Sequence, residues 1–286
     1  MKICSTIAEV RAACRDARAS CRHLGLVPTM GALHEGHLSL IRAAKAQCQA
    51  VAVSLFVNPT QFGPTEDLSK YPRQFDRDIA LLEKERVDIL FAPTVEEIYP
   101  TGPTPRTDAT WVMVEELSER LDGRSRPGHF RGVTTIVAKL FNIIEPDAAF
   151  FGQKDAAQLA IIRRMVRDLN FPVEIVACPI VREPDGLAMS SRNAYLNRDE
   201  RVRALVLHRA LEQAHQKFVA GERIAARLIS AAKEVFAGQP DVVLDYCEIV
   251  DPDTLEPVEQ VSQKSLMAVA AYVGKTRLID NLVLHP

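Results

Sequence analysis

The chain has 286 residues and no paired cysteines: Cys4, Cys14, Cys21, Cys48, Cys178 and Cys247 form no C-x-x-C and no metal-ligand spacing. That excludes a disulfide scaffold or a zinc ribbon and fits reduced, mostly buried thiols. No apolar run approaches the roughly 20 residues of a membrane-spanning helix. The opening Met1-Lys2-Ile3-Cys4 is not followed by a signal-peptide core. The expectation is a cytoplasmic protein with no membrane partner. Neither sign of charge is in excess, the net charge being -2, so nothing calls for nucleic acid as a partner. Two nucleotide fingerprints are also missing. There is no G-x-x-x-x-G-K-[ST], which excludes a P-loop ATPase, and no G-x-G-x-x-G after the first strand, which argues against a dinucleotide site. Internal repeats and low-complexity tracts are absent.

What is present is ordinary globular material, 47% hydrophobic and 25% charged, enough for a large core and two domains. Apolar runs at 24–27, 50–57, 87–92, 148–151 and 173–181 read as buried strands. Helical periodicity fills 5–22, 36 onward, 75–84, 133–144 and 156–169. Strands alternating with helices imply an α/β fold with a parallel sheet covered on both faces. A short strand is expected at 111–114, and the stretch 94–110, rich in Pro, Thr and Gly, should be irregular. The pattern changes at 182–188. Beyond it come two helices, 198–220 and 223–236, then three strands joined by turns, 242–250, 265–273 and 277–284. The division expected is 1–184 and a smaller α+β domain, 185–286.

The most informative stretch is Val27-Pro28-Thr29-Met30-Gly31-Ala32-Leu33-His34-Glu35-Gly36-His37. A strand, a glycine turn and a helix N-terminus point backbone N–H groups outward, and the helix dipole favours an anion there. His34 and His37, three apart, share a face of the first turn. Three more polar sets follow strands: Asn58-Pro59-Thr60-Gln61, Gly152-Gln153-Lys154-Asp155 and Met189-Ser190-Ser191-Arg192. Ligands of open parallel sheets bind beyond the strands' carboxyl ends, so all four sets should meet in one crevice. The histidines can donate hydrogen bonds to a transferring phosphoryl group, while Lys154 and Arg192 neutralise the charge that builds. Asp155 could hold Mg²⁺ delivered on nucleotide phosphates, with Asp76 and Asp78 as further acidic candidates. Taken singly, Gln61 and Gln158 read as surface or capping residues, the Ser-Ser-Arg segment as a capped loop and Arg124–Arg131 as a basic surface loop. The 60–72 loop is long enough to suggest function.

P-T-M-G-A-L-H-E-G-H at 28–37 resembles the H-x-G-H signature of the nucleotidyltransferase superfamily, and Ala188-Met189-Ser190-Ser191-Arg192 stands where K-M-S-K-S is usual. With F-V-N-P-T-Q-F-G, Y-P-R, R-P-G-H-F-R-G-V, D-A-A-F-F-G-Q-K-D-A-A-Q and L-A-M-S-S-R-N, the chain is similar to the pantothenate synthetase (pantoate–β-alanine ligase) family over residues 27–193. The resemblance implies a Rossmann-like nucleotidyltransferase domain and a C-terminal lid. It implies ATP-dependent ligation of pantoate to β-alanine through pantoyl adenylate, with Mg²⁺ accompanying ATP, in a homodimer. It assigns ATP to Met30, Gly31, Ala32, Leu33, His34, Glu35, Gly36 and His37, to Gly152, Gln153, Lys154 and Asp155, and to Val181, Met189, Ser190, Ser191 and Arg192. It assigns pantoate and β-alanine to Gln61, pantoate to Gln158, and the catalytic work to His37, His34, Lys154 and Arg192. The alternatives are another adenylyl-transferring nucleotidyltransferase and a non-catalytic nucleotide-binding protein.

Overall fold

A computed structural model describes residues 1–20, 23–64, 66–102 and 110–286. The end of the expected leading helix at 21–22, residue 65 of the long loop and residues 103–109 of the irregular stretch lie outside the described residues.

The first sheet has six strands: β1 (Lys2–Cys4), β2 (Leu24–Thr29), β3 (Ala50–Leu55), β4 (Ile89–Phe91), β5 (Ala148–Gly152) and β6 (Glu174–Cys178). Every neighbouring pair is parallel, in the order β1-β4-β3-β2-β5-β6. The central strands are apolar except for the buried Thr29 and Ser54, because helices cover both faces. Those helices are α1 (Ile7–Ser20), α2 (Glu35–Gln47), α3 (Phe75–Lys84), the single turns α4 (Val95–Ile98) and α5 (Asp122–Ser125), α6 (His129–Ile144) and α7 (Ala156–Asp168). From β2 the order runs outward through β3 and β4 on one side and through β5 and β6 on the other. The crossovers therefore diverge at β2 and β5, and a crevice opens beyond Thr29 and Gly152.

The remainder comprises α8 (Arg198–Ala204), α9 (Val206–Val219), α10 (Ala225–Ala237) and the antiparallel sheet β7 (Val242–Val250), β8 (Ser265–Val273), β9 (Thr276–Leu284). One face of this sheet, with Cys247, Val269, Ala271 and Leu278, packs on Leu207, Leu211 and Leu228 of its own helices. The other face, with Tyr246, Leu266, Ala268 and Ala270, joins the core built around Phe130, Val133 and Leu140. The smaller sheet thus lies between its helices and the first domain. A division at 184 falls in the turn of a hairpin in which Arg182 bridges Ala188. We retain it as a proposal, resting on the two separate sheets.

The structure corrects several expected elements. Residues 111–114 form no strand, because the Val112 N–H donates to Thr135 Oγ1 (3.0 Å) and its carbonyl accepts from Thr134 Oγ1 (2.6 Å), both on α6. β1, too short and polar to show alternation, was not expected. Helix α6 starts four residues early, at His129, so the basic loop is half helical. The 198–220 helix is broken at Leu205 into α8 and α9, and β6 ends at Cys178, before 179–181.

Candidate active site

The turn between β2 and α2 is held by an aspartate. Gly31 (φ 84°) and Ala32 (φ 51°) are both left-handed, a conformation that costs an alanine energy. The fully buried Asp78 offsets this by accepting the N–H groups of Ala32 and Leu33, each at 2.8 Å. Both its oxygens are therefore committed, and Asp78 is a loop anchor rather than a magnesium candidate. Asp76 is exposed on the first turn of α3.

His34 is the N-cap of α2. Its Nδ1 accepts the Gly36 N–H (3.2 Å), while His37 Nδ1 accepts the His34 N–H (3.4 Å), a reciprocal capping box made of two imidazoles. A neutral ring that accepts at Nδ1 carries its proton on Nε2. The cap thus fixes both tautomers and leaves two Nε2–H donors for the cavity. The ring centroids are 4.1 Å apart. Gly36 is required because a Cβ there would lie 2.9 Å from His34 Cε1. Burial, then the Lys154 charge, pushes His34 down to about 4. Burial, then His34 and Lys154, pushes His37 down to about 3. Both rings are neutral at pH 7, suited to donating hydrogen bonds rather than supplying charge.

Gln61 lies in the 3-10 turn Pro59–Gln61 after β3. Its Oε1 accepts from Asn58 Nδ2 (3.1 Å) and its Nε2 points at Met30 Sδ (2.9 Å). Asn58 is fully buried and also donates to the Gly132 carbonyl at 3.1 Å. The Gln61 carbonyl accepts from His129 Nδ1 (2.7 Å), and His129 Nε2 accepts from Arg126 (2.9 Å). Burial and Arg126 push His129 down to about 3, so it too is neutral. Arg126 forms a fork with Glu66, at 2.7 and 2.8 Å.

Across the crevice, Lys154 and Asp155 follow β5, 3.9 Å apart, the lysine largely enclosed and the aspartate half exposed. Arg192 forks onto Asp67 of the long loop (3.1 and 3.0 Å), and Ser191 Oγ meets the Tyr71 hydroxyl at 3.2 Å. The segment bearing them is drawn back to the first domain by the Met189 N–H on the Val181 carbonyl (2.9 Å).

These groups enclose an inner cavity of about 220 Å³, walled by Met30, His34, His37, Gln61, Gln158 and Met189 among others. It shares Lys154, Asp155, Gln158, Ser190 and Arg192 with an outer cavity of about 990 Å³ between the two sheets. Gly36, Gly152, Val181 and Ser191 also line the inner space. Gly31, Ala32, Leu33, Glu35 and Gln153 line neither cavity. Leu33 is core, Glu35 pairs with Arg42 on the surface, and Gln153 turns to Asn281. The described residues contain no cluster of three His, Cys, Asp or Glu able to hold a metal. Asp155 is a lone carboxylate there, a donor set that fits Mg²⁺ arriving on phosphates and not an all-protein cage.

A family model described as pantoate-beta-alanine ligase matches residues 2–283. The chain belongs to the pantoate–β-alanine ligase family. It is 60% identical to a pantothenate synthetase of Acidobacterium capsulatum, covering 99% of this chain and 97% of that one. It is 55% identical to that of Thermotoga neapolitana, over 99% of this chain and 100% of the other. A crystal structure of pantothenate synthetase from Thermus thermophilus superposes with TM-score 0.92 at 46% identity, covering 100% of both chains. The Francisella tularensis ligase, solved in complex with beta-gamma ATP and β-alanine, superposes with TM-score 0.81 at 33% identity over 99% of this chain and 97% of that one.

For a pantoate–β-alanine ligase, the sequence marked Asn58, Asp78, Arg126 and His129 without their roles: Asn58 as part of a strand-end set, Asp78 as an acidic candidate, and the other two as a basic surface loop. Asn58 had a usable signal, as the first polar residue after a buried strand. Arg126 and His129 read as surface because a basic loop gives no sign that a glutamate 60 residues away will enclose it.

Proposed function

We propose that this chain joins pantoate to β-alanine at the expense of ATP, through pantoyl adenylate, releasing AMP and pyrophosphate. The observation that carries this reading is the meeting of the histidine cap, Gln61, Gln158, Lys154 and Ser190–Arg192 around one cavity. A pantoate carboxylate oxygen forms a bond to the α-phosphorus and the bond to pyrophosphate breaks. The β-alanine amine then attacks the acyl carbon, the bond to AMP breaks and the nitrogen loses a proton. No protein nucleophile is needed, so the residues act by position and charge. The two Nε2–H groups donate to phosphate oxygens. Lys154 balances charge at the phosphorus, and Arg192 joins it on exchanging Asp67 for phosphate. Gln61, oriented by Asn58, holds the acid together with Gln158. Asp155 would hold Mg²⁺, which when bound offsets phosphate charge.

We further propose a homodimer, as the family resemblance implies. We also propose a cytoplasmic setting, which suits Cys4, Cys14, Cys178 and Cys247 as buried thiols; among the described residues no helix is long and apolar enough to cross a membrane. Purified protein supplied with ATP, pantoate and β-alanine should produce AMP and pantothenate in equal amounts. No AMP would refute ligation, and AMP transfer that ignores β-alanine would make the chain a different adenylyl transferase.

A further inference from the structure

Two neighbouring residues of the last strand, Asp280 and Asn281, are each only 3% exposed and reach out of their own sheet to the two segments that carry the site's cations. Asn281 pairs with Ala268, on the face turned to the first domain, and Asp280 with Val269, on the face turned to the C-terminal helices. β9 is an edge strand, so both faces at this point border the crevice. Asn281 Nδ2 donates to the carbonyls of Gln153 (3.0 Å) and Lys154 (2.9 Å), and its Oδ1 accepts from Gln153 Nε2 (3.3 Å). Asp280 receives a two-pronged Arg182 (2.6 and 2.9 Å), and that arginine also donates to the Gly186 carbonyl (3.0 Å). The Asp280 carboxylate takes the Asn281 backbone N–H as well (2.8 Å), which fixes the aspartate against the strand that carries Asn281.

The turn Gln153–Asp155 has no side-chain cap of its own. Its carbonyls at 153 and 154 are held from the other sheet, by one asparagine. The hairpin leading to Met189–Arg192 is held by the residue beside it. We propose that Asn281 is a positioning residue that sets Lys154 against the reacting phosphoryl group, with Asp280 fixing the Arg182–Ala188 hairpin to the same strand. The C-terminal sheet would then be the frame that registers the two cationic segments, as well as a cover over them. This deepens the ligase reading and rests on it, since it takes Lys154 as the charge-balancing group.

The test is a double-mutant cycle on pantoyl-adenylate formation, read as single-turnover pyrophosphate release by the full chain. Because displacement of a catalytic group by ~1 Å can cost about 10²-fold, Asn281→Ala should lower the adenylation rate by about 10- to 100-fold while KM for pantoate is unchanged. Asn281→Asp keeps the shape, loses both donated bonds and should lose as much. In a Lys154→Ala background the Asn281 substitutions should cost almost nothing further, because the group they misplace is gone. Folding of each variant is checked by its thermal melt. Additive losses in the cycle, or wild-type turnover in either folded Asn281 variant, would overturn the positioning role. Wild-type turnover of Lys154→Ala itself would instead overturn the ligase reading of that lysine.

Discussion

Three histidines near the cavity, His34, His37 and His129, have their titration pushed down to about 4, about 3 and about 3, burial being the first cause in each. The unfolded chain protonates a histidine near pH 6.5, so between about 6.5 and about 4 the unfolded state binds protons that the folded state refuses. Stability is therefore fully present above about pH 6.5 and is lost as pH falls toward the folded values. Denaturant unfolding at stepped pH should show a falling midpoint over that window, above the range in which most carboxylates titrate. His129→Gln, which keeps a donor for the Gln61 carbonyl, should flatten part of the slope; an unchanged slope would contradict the buried neutral state. The placing of His34 and His37 on the first turn of one helix was legible from their spacing alone. That the two rings cap each other, and thereby choose their tautomers, depends on the left-handed pair Gly31 and Ala32 and on Asp78, which is 41 residues past His37 in sequence.

Helix α6 shows how an element far along the chain shapes the Gln61 side of the cavity. Gly132, in its first turn, lies against the 3-10 turn that carries Gln61. A Cβ there would come within 2.4 Å of the Thr60 carbonyl oxygen and 2.6 Å of the Gln61 nitrogen. Backbone cannot yield as a side-chain tip does, so Gly132→Ala should cost about 1–3 kcal/mol of stability, as overpacking does. It should also displace Gln61, weakening pantoate binding more than ATP binding in calorimetry; equal losses would remove the packing argument. The same helix explains a failed strand. Residues 111–114 have the composition of one, yet Thr134 and Thr135 satisfy the Val112 peptide groups before any neighbour strand can. Periodicity registers which residues are apolar, not which side chains will compete for a backbone.

At the scale of the molecule, the C-terminal sheet is tied to helix α5 by a charged cluster as well as to the first domain by a shared core. Arg277 on β9 donates to Asp122 of α5 (2.6 Å) and to Asp245 of β7 (3.0 and 2.7 Å), and Ser125 also donates to Asp245. All three charged side chains are under one-fifth exposed. Removing one partner of such a cluster leaves the others desolvated and unpaired, so Arg277→Ala should cost about 3–5 kcal/mol in urea unfolding. A midpoint equal to wild type would show that water already reaches the pair. None of this was visible in advance, since Asp122 and Arg277 are separated by 155 positions. By itself the sequence determined the alternation of strands and helices, the change of pattern near 182–188 and three polar sets just past strand ends, while the fourth, Met189–Arg192, follows the hairpin beyond β6. Each of these follows from local periodicity or from the chemistry of a short segment. Only the tertiary structure decided the strand order that opens the crevice, the partners of Arg126 and Arg192, and the grip of β9 on Lys154. Those depend on which distant surfaces share a core, and a burial pattern read along one chain does not encode its partner. The stretch from Val27 to His37 announced a strand, a glycine turn and a helix start; the fold around it set the partners of its two histidines.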